Sequence, residues 1–172
     1  MTEPSLLIRL ADLGRRTDLL AVCDLLEAFH REEDDRGFAW SVHAGLGPHL
    51  RRNAWFVLLA ETDGTAVGAL VAQRSLSSFS GVESCNIHDV FVLDEARGRG
   101  VARGLMEAAE SRARALGCGN ITLEVNADNM PARGLYRSFG FDVPEADGPE
   151  GATLFVRKRL DDPSDQMNTN TT

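Results

Sequence analysis

One run of residues constrains this chain more than any other: Asn86 to Gly104, NIHDVFVLDEARGRGVARG. An apolar, strand-like segment runs into a loop of glycines and arginines, and that loop opens an amphipathic helix. Downstream, Ile121, Leu123 and Val125 alternate with polar residues, so Asn120–Asn126 reads as a strand. Strand Ser84–Leu93, helix Gly98–Leu116 and strand Asn120–Asn126 form one βαβ unit, whose crossover is right-handed. Strand, tight basic loop and helix start together aim backbone N–H groups at a phosphate.

The other elements follow from hydrophobic spacing. Ser5–Leu10 is a short strand, and Leu19, Val22, Cys23, Leu26 and Phe29 repeat at helical spacing over Thr17–His30. A weaker helix is predicted over Val42–Arg51, interrupted by Gly45, Gly47 and Pro48. Ala54–Glu61 and Ala66–Gln73 are strands joined by a turn containing Asp63-Gly64, a hairpin signal. The helix after the basic loop carries Ala102, Leu105, Met106, Ala109, Ala113 and Leu116 on one stripe and stops at Gly117. Pro131 marks the start of another helix, which ends near Gly140. Phe141 is expected to begin a strand, and Ala152–Leu160 is the last one. The order β-α-α-β-β-β-α-β-α-β-β describes a three-layer α/β domain with a mixed sheet over residues 1–160. Residues 161–172 are polar without apolar period, and disorder is expected there.

Composition narrows the ligand. With 172 residues, 43% apolar and 26% charged, the chain has the profile of one ordinary globular domain. Its net charge of −8 argues against nonspecific nucleic-acid binding, which needs a basic surface. Cys23, Cys85 and Cys118 show no paired spacing, so neither a metal site nor a disulfide framework is expected. The N-terminus lacks a signal-peptide pattern and no apolar run is long enough to span a bilayer, so a cytoplasmic protein without membrane contact is expected.

Each residue type in the loop Arg97-Gly98-Arg99-Gly100-Val101-Ala102-Arg103 has a chemical reason. Glycine permits unusual φ and close backbone approach, the arginines supply positive charge, and the helix start adds unpaired N–H groups. The loop is not a dinucleotide fingerprint, since Arg103 stands where a third glycine belongs, and it lacks the Gly-Lys-Ser/Thr of a Walker A loop.

Arg97-x-x-Gly100-x-Ala102 resembles the Q/R-x-x-G-x-G/A signature of the GNAT superfamily of N-acetyltransferases. Asn129-x-x-Ala132-x-x-Leu135-Tyr136-x-x-x-Gly140-Phe141 resembles that family's second segment. The resemblance covers roughly residues 5–160. It implies a GNAT-like three-layer fold: a mixed, mostly antiparallel sheet of six to seven strands with about four flanking helices. It also implies acetyl-CoA as co-substrate, with the pyrophosphate on the loop amides of Arg97 to Arg103, Asn129 and Ala132 near the pantetheine arm, and Tyr136 near the sulfur. Strand residues Val90, Phe91 and Val92 would meet the pantetheine, with backbone groups of Val90 and Val92 pairing with its amides and an N–H near Val90 polarising the thioester carbonyl.

Acetyl transfer to an amine sets further demands. An alkyl amine, with pKa about 10.4, arrives protonated and must lose a proton, and the leaving thiolate benefits from a donor. Tyr136, the sole tyrosine, falls on the family's acid position. Many members carry Glu where this chain has His88, just before Asp89; histidine titrates near neutrality and can do the same work. Strict alternation puts His88 on the face of Val90 and Val92, and Asp89 with Ile87 and Phe91, unless a bulge reverses the order. Glu83 and Glu124 are reserve bases, and Glu124 is either solvated or lines the cleft.

The acidic run Glu32, Glu33, Asp34 and Asp35 falls where the resemblance puts one acceptor wall, with Phe38 and Trp40 nearby to line a pocket or anchor the loop; it suits a cationic amine, though such runs are more often a solvated face. The leading expectation is an acetyl-CoA-dependent N-acetyltransferase acting on a primary amine of a small molecule, with no metal. The alternatives are a noncatalytic acyl-CoA-binding regulatory module and a peptide or protein N-acetyltransferase. A homodimer through the last strands is a family-level expectation.

Overall fold

The computed structural model describes residues 5–33, 48, 50, 55–76, 81–145, 149 and 151–160. Its elements, in chain order, are β1 Leu6–Leu10, α1 Arg16–Glu33, β2 Trp55–Thr62, β3 Thr65–Leu76, β4 Glu83–Val92, α2 Val101–Ala115, β5 Asn120–Asn126, α3 Met130–Ser138 and β6 Thr153–Arg159. The strands form a six-stranded sheet in the order β1-β2-β3-β4-β5-β6. β1–β2, β2–β3 and β5–β6 are antiparallel, and β4–β5 is parallel. Among the described residues there are three α-helices. The helix expected at Val42–Arg51 falls almost wholly outside them, as does the polar tail from residue 161.

The chain gathers into two compact units, Met1–Gln73 with His88–Ala109, and Arg74–Ile87 with Glu110–Thr172. In the first, one face of β2 and β3 presents Val57, Leu59, Ala69 and Val71 to Val22, Leu25 and Leu26 of α1, with Phe91 of β4 and Leu50 in the same core. Truncating a fully buried residue such as Leu59 to alanine costs about 2–5 kcal/mol. The β2–β3 hairpin turns on Asp63 (φ +51) and Gly64 (φ +78), the left-handed pair that a tight hairpin turn needs. α1 is anchored by a buried carboxylate: Asp18 accepts from Arg9 Nη1 at 2.5 Å, from Arg9 Nη2 at 3.0 Å and from the Asp12 amide at 2.8 Å. α2 comes close to β1 at Gly104, where a Cβ would lie 3.4 Å from Ile8 Cγ1.

In the second unit, β4 pairs Ser84–Ile87 with Asn120–Leu123 of β5, and that register goes no further. β5 lies on β6 through its whole length, Asn120 opposite Arg159 and Asn126 opposite Thr153. Ile121, Leu123, Val125 and Val156 are buried, while Glu124, Asn126, Phe155 and Arg157 are exposed, so burial alternates from Leu123 onward; Thr122, on the other face, is buried as well. Phe141 does not begin a strand. The Asp142 amide donates to the Arg157 carbonyl at 2.9 Å, but the Asp142 carboxylate takes the Arg157 amide, so a side chain occupies the place of a ladder carbonyl. Pro144, without an N–H, ends any continuation.

Candidate active site

The basic loop takes its shape from local rules. β4 ends at Val92, and a 3-10 turn over Asp94–Ala96 reverses the chain with Ala96 buried. Gly98 and Gly100 then hold φ of +73° and +80°, a region that side chains with a Cβ rarely enter. Both are exposed, and a Cβ at either would meet nothing within 4 Å. The Gly104 amide donates to the Gly100 carbonyl at 2.9 Å, so the helical ladder starts there and the preceding Val101 and Ala102 amides have no intrahelical acceptor. Those amides, the helix dipole and the exposed Arg99 and Arg103 give this terminus a positive electrostatic character.

Arg97 itself is engaged inside the protein. Its Nε donates to the Val92 carbonyl at 2.9 Å, its Nη2 to Glu32 at 2.6 Å, and its Nη1 to the Asp94 carboxylate. Glu32, expected on an acceptor wall, is therefore the partner of the loop's first arginine. Only the backbone of Glu33, at the end of α1, is described; Asp34, Asp35, Phe38 and Trp40 lie outside the described residues.

On β4, Val90 is half-buried, and Phe91 and Val92 are buried. The Phe91 ring meets Phe29 of α1 at 5.5 Å. His88 is exposed, with its ring 4.7 Å from Trp55, which packs on the α1-side core. His88 and Phe91, three residues apart, thus both reach that cluster, so strict alternation is interrupted between them. Asp89 is half-buried; burial pushes its carboxyl above the ordinary range, against the opposing pull of His88 and His30. The first unit therefore brings together His88, Asp89, Trp55 and His30 beside the strand that leads into the loop.

In the second unit, Asn129 caps α3: its Oδ1 accepts the Ala132 amide at 3.1 Å, and Pro131 occupies the first turn. Tyr136 is buried on that helix with its ring 5.8 Å from Phe141. Burial pushes its phenol up to about 12, so it keeps its proton at neutral pH. No hydrogen bond to its hydroxyl is formed among the described residues. Glu124 is exposed opposite Phe155, and Glu83 pairs with Arg74 at 3.3 Å.

One residue escaped sequence reasoning altogether. Arg133, between the motif positions Ala132 and Leu135, is fully buried and donates to the Ala127 and Pro144 carbonyls at 2.6 and 3.0 Å. Its signal was its spacing: it sits one turn before Tyr136, on the same helix face. The thiols are free, with Cys85 and Cys118 buried and raised in pKa by that burial, which makes them unreactive. Among the described residues no Asp, Glu, His and Cys group could hold a metal, and no helix is long and apolar enough to cross a membrane.

The family described as acetyltransferase (GNAT) matches residues 19–141. An uncharacterized N-acetyltransferase of Bacillus subtilis (strain 168), YhfO, is 28% identical over 132 residues, 75% of this chain and 87% of that protein. An L-methionine sulfoximine/L-methionine sulfone acetyltransferase of Pseudomonas aeruginosa is 29% identical over 101 residues, 54% of this chain and 59% of that protein. Among solved structures, a ribosomal-protein-alanine N-acetyltransferase from Brucella melitensis superposes with a TM-score of 0.70 at 23% identity, covering 90% of this chain and 99% of that one.

Proposed function

The chain belongs to the GNAT family of acetyltransferases, and we propose that it moves an acetyl group from acetyl-CoA to a primary amine of a small molecule by direct attack, with both substrates bound. The observation that carries this reading is the loop. Two exposed glycines at positive φ lead into a helix start whose Val101 and Ala102 amides have no acceptor within the helix.

In this reading the amides from Gly98 to Arg103 hold the coenzyme pyrophosphate, which suits a site needing anion donors rather than a single charged side chain. Acetyl-CoA supplies an activated acyl thioester. Val90 and Val92 contribute backbone groups, a role supported by the β4–β5 register ending at Ile87. The Val90 N–H polarises the acyl carbonyl. Asn129 and Ala132 lie along the coenzyme arm.

Tyr136 holds the proton that the leaving sulfur takes, and its raised pKa suits an acid that must stay protonated until it is used. His88 receives the amine proton, directly or through water, and its exposed ring beside Trp55 is accessible for this. Asp89, the next residue on β4 and electrostatically coupled to it, supports the resulting imidazolium. The small-molecule acceptor is supported by the relative that acetylates methionine sulfoximine.

The test is thiol release from acetyl-CoA across a panel of small amines and short peptides, with Tyr136→Phe alongside. The reading expects a small amine to turn over, and expects the variant to lose roughly a hundredfold in kcat while its acetyl-CoA Kd is kept. Turnover confined to peptides would replace the acceptor class. An unaltered kcat in Tyr136→Phe would remove the acid role.

A further inference from the structure

A buried arginine needs fixed acceptors, because removing a guanidinium from water without hydrogen bonds is costly. Arg133 is completely buried. Its Nη1 donates to the Ala127 carbonyl at 2.6 Å and contacts Met130 Sδ at 3.3 Å. Its Nη2 donates to the Pro144 carbonyl at 3.0 Å. Ala127 follows the last residue of β5, before α3; Pro144 follows α3. One side chain on the helix thus holds the chain entering it and the chain leaving it.

The Ala127 end is fixed from outside the helix, and the chain leading to Pro144 is tied to β6 at Asp142, whose amide donates to the Arg157 carbonyl at 2.9 Å. The Ala127 amide donates to the Ala152 carbonyl at 2.8 Å, and Arg137 Nη2 donates to the same Pro144 carbonyl at 3.1 Å. Between Pro144 and the helix, the Phe141 amide returns to the Tyr136 carbonyl at 3.1 Å. Arg133 and Tyr136 are one turn apart, and both side chains are buried. A rotation or slide of α3 that moved the phenol would have to break the bonds of Arg133 first.

We propose that Arg133 is the positioning residue for Tyr136: its two-carbonyl clamp fixes the rotation and height of α3, and so the place of the phenol. This rests on the reading of Tyr136 as the proton donor. A lysine at this position keeps the cation and one short bond but lacks the planar fork that spans two carbonyls.

Arg133→Lys and Arg133→Met are compared with the unaltered full chain. Tyr136 is the only tyrosine, so phenolate absorbance during alkaline titration reports this one group directly. The expected result is a phenolate midpoint that falls from about 12 toward the ordinary 10.0 in both variants. With it, kcat falls roughly tenfold to a hundredfold while the KM for acetyl-CoA stays nearly constant, and lysine is the milder change. In a Tyr136→Phe background, Arg133→Lys then adds no further loss of kcat. The proposal is overturned if the midpoint is unmoved in Arg133→Lys, or if that change lowers kcat by the same factor in the Tyr136→Phe background. A lowered melting temperature with both readouts unmoved overturns it too. Should Tyr136→Phe alone keep full kcat, the acid reading fails, while the phenolate titration still decides whether Arg133 holds the ring in place.

Discussion

The guanidinium of Arg97 lies 2.6 Å from the carboxylate of Glu32, joining the loop after β4 to the last turn of α1 across 65 residues of sequence. Both side chains are nearly half exposed, at 49% and 42%, so water screens the pair and little stability rests on it. The better-shielded bond is from Arg97 Nε to the Val92 carbonyl, which ties the loop to the strand before it.

Arg97 should therefore act through loop shape more than through charge. Arg97→Gln retains an N–H able to reach Val92 and should bind coenzyme A within about threefold of the unaltered chain, whereas Arg97→Ala, having lost that bond, should weaken binding about tenfold. Isothermal titration with coenzyme A measures both. Equal losses in the two variants would show that charge, not the bond to Val92, is what the loop needs.

Gly68 offers a steric test of the strand in the proposed site. A Cβ there would sit 2.9 Å from the Phe91 carbonyl oxygen, with Val101 and Val92 side chains at 3.2 and 3.3 Å. The obstacle is backbone, which cannot rotate away. Gly68→Ala should cost about 1–3 kcal/mol in urea unfolding and should raise the KM for acetyl-CoA by shifting β4. A variant as stable as the parent would mean that β3 and β4 separate freely.

Asp18 makes stability depend on acid. Its hydrogen bonds from Arg9 lower its carboxyl from 3.8 to about 2, against the opposing effect of burial. A depressed folded pKa stabilises the fold above the unfolded value and loses that contribution as pH falls through the folded one. About 2 kcal/mol should thus be present above pH ~4 and vanish between pH ~4 and ~2. Unfolding curves at neutral pH and near pH 3 check this, and Asp18→Asn should flatten the difference between them.

Asp89 carries the opposite sign. Burial raises its carboxyl, so its charged form costs stability at neutral pH, and that cost disappears when the group is protonated. Asp89→Asn should melt higher than the parent at neutral pH, with the gain shrinking as pH falls through the raised folded value and gone once pH is below the ordinary carboxylate range. Activity should drop in the same variant, since a charge held at a cost in stability marks a working site. A lower melting temperature would instead make Asp89 a structural anchor.

Local features were legible in the sequence where the chain decides its own conformation. The Asp63-Gly64 turn, the alternation of Asn120–Asn126 and the glycines at 98 and 100 each express a short-range rule. α2 starts at Val101, not Gly98, because those glycines adopt positive φ. Features that depend on distant partners were not legible. Glu32 reads as part of a solvated acidic run until α1 brings it to Arg97. Arg133 draws no notice in the sequence, and only its burial against the Ala127 and Pro144 carbonyls reveals it. The expected strand at Phe141 failed because the Asp142 carboxylate captured an amide that a ladder requires. His88 and Phe91 reach one cluster because the pleat is interrupted, which residue spacing alone does not encode.

The cap at Asn129 fixes more than a helix end. Its Oδ1 accepts the Ala132 amide, while the Nδ2 group takes no part in the cap. The Nδ2 group is a donor, and an acceptor such as an amide carbonyl is what it can meet beyond the protein. In the proposed site its two atoms would divide the work of folding and of recognition. Aspartate would preserve the first and abolish the second, separating two roles that alanine would remove together.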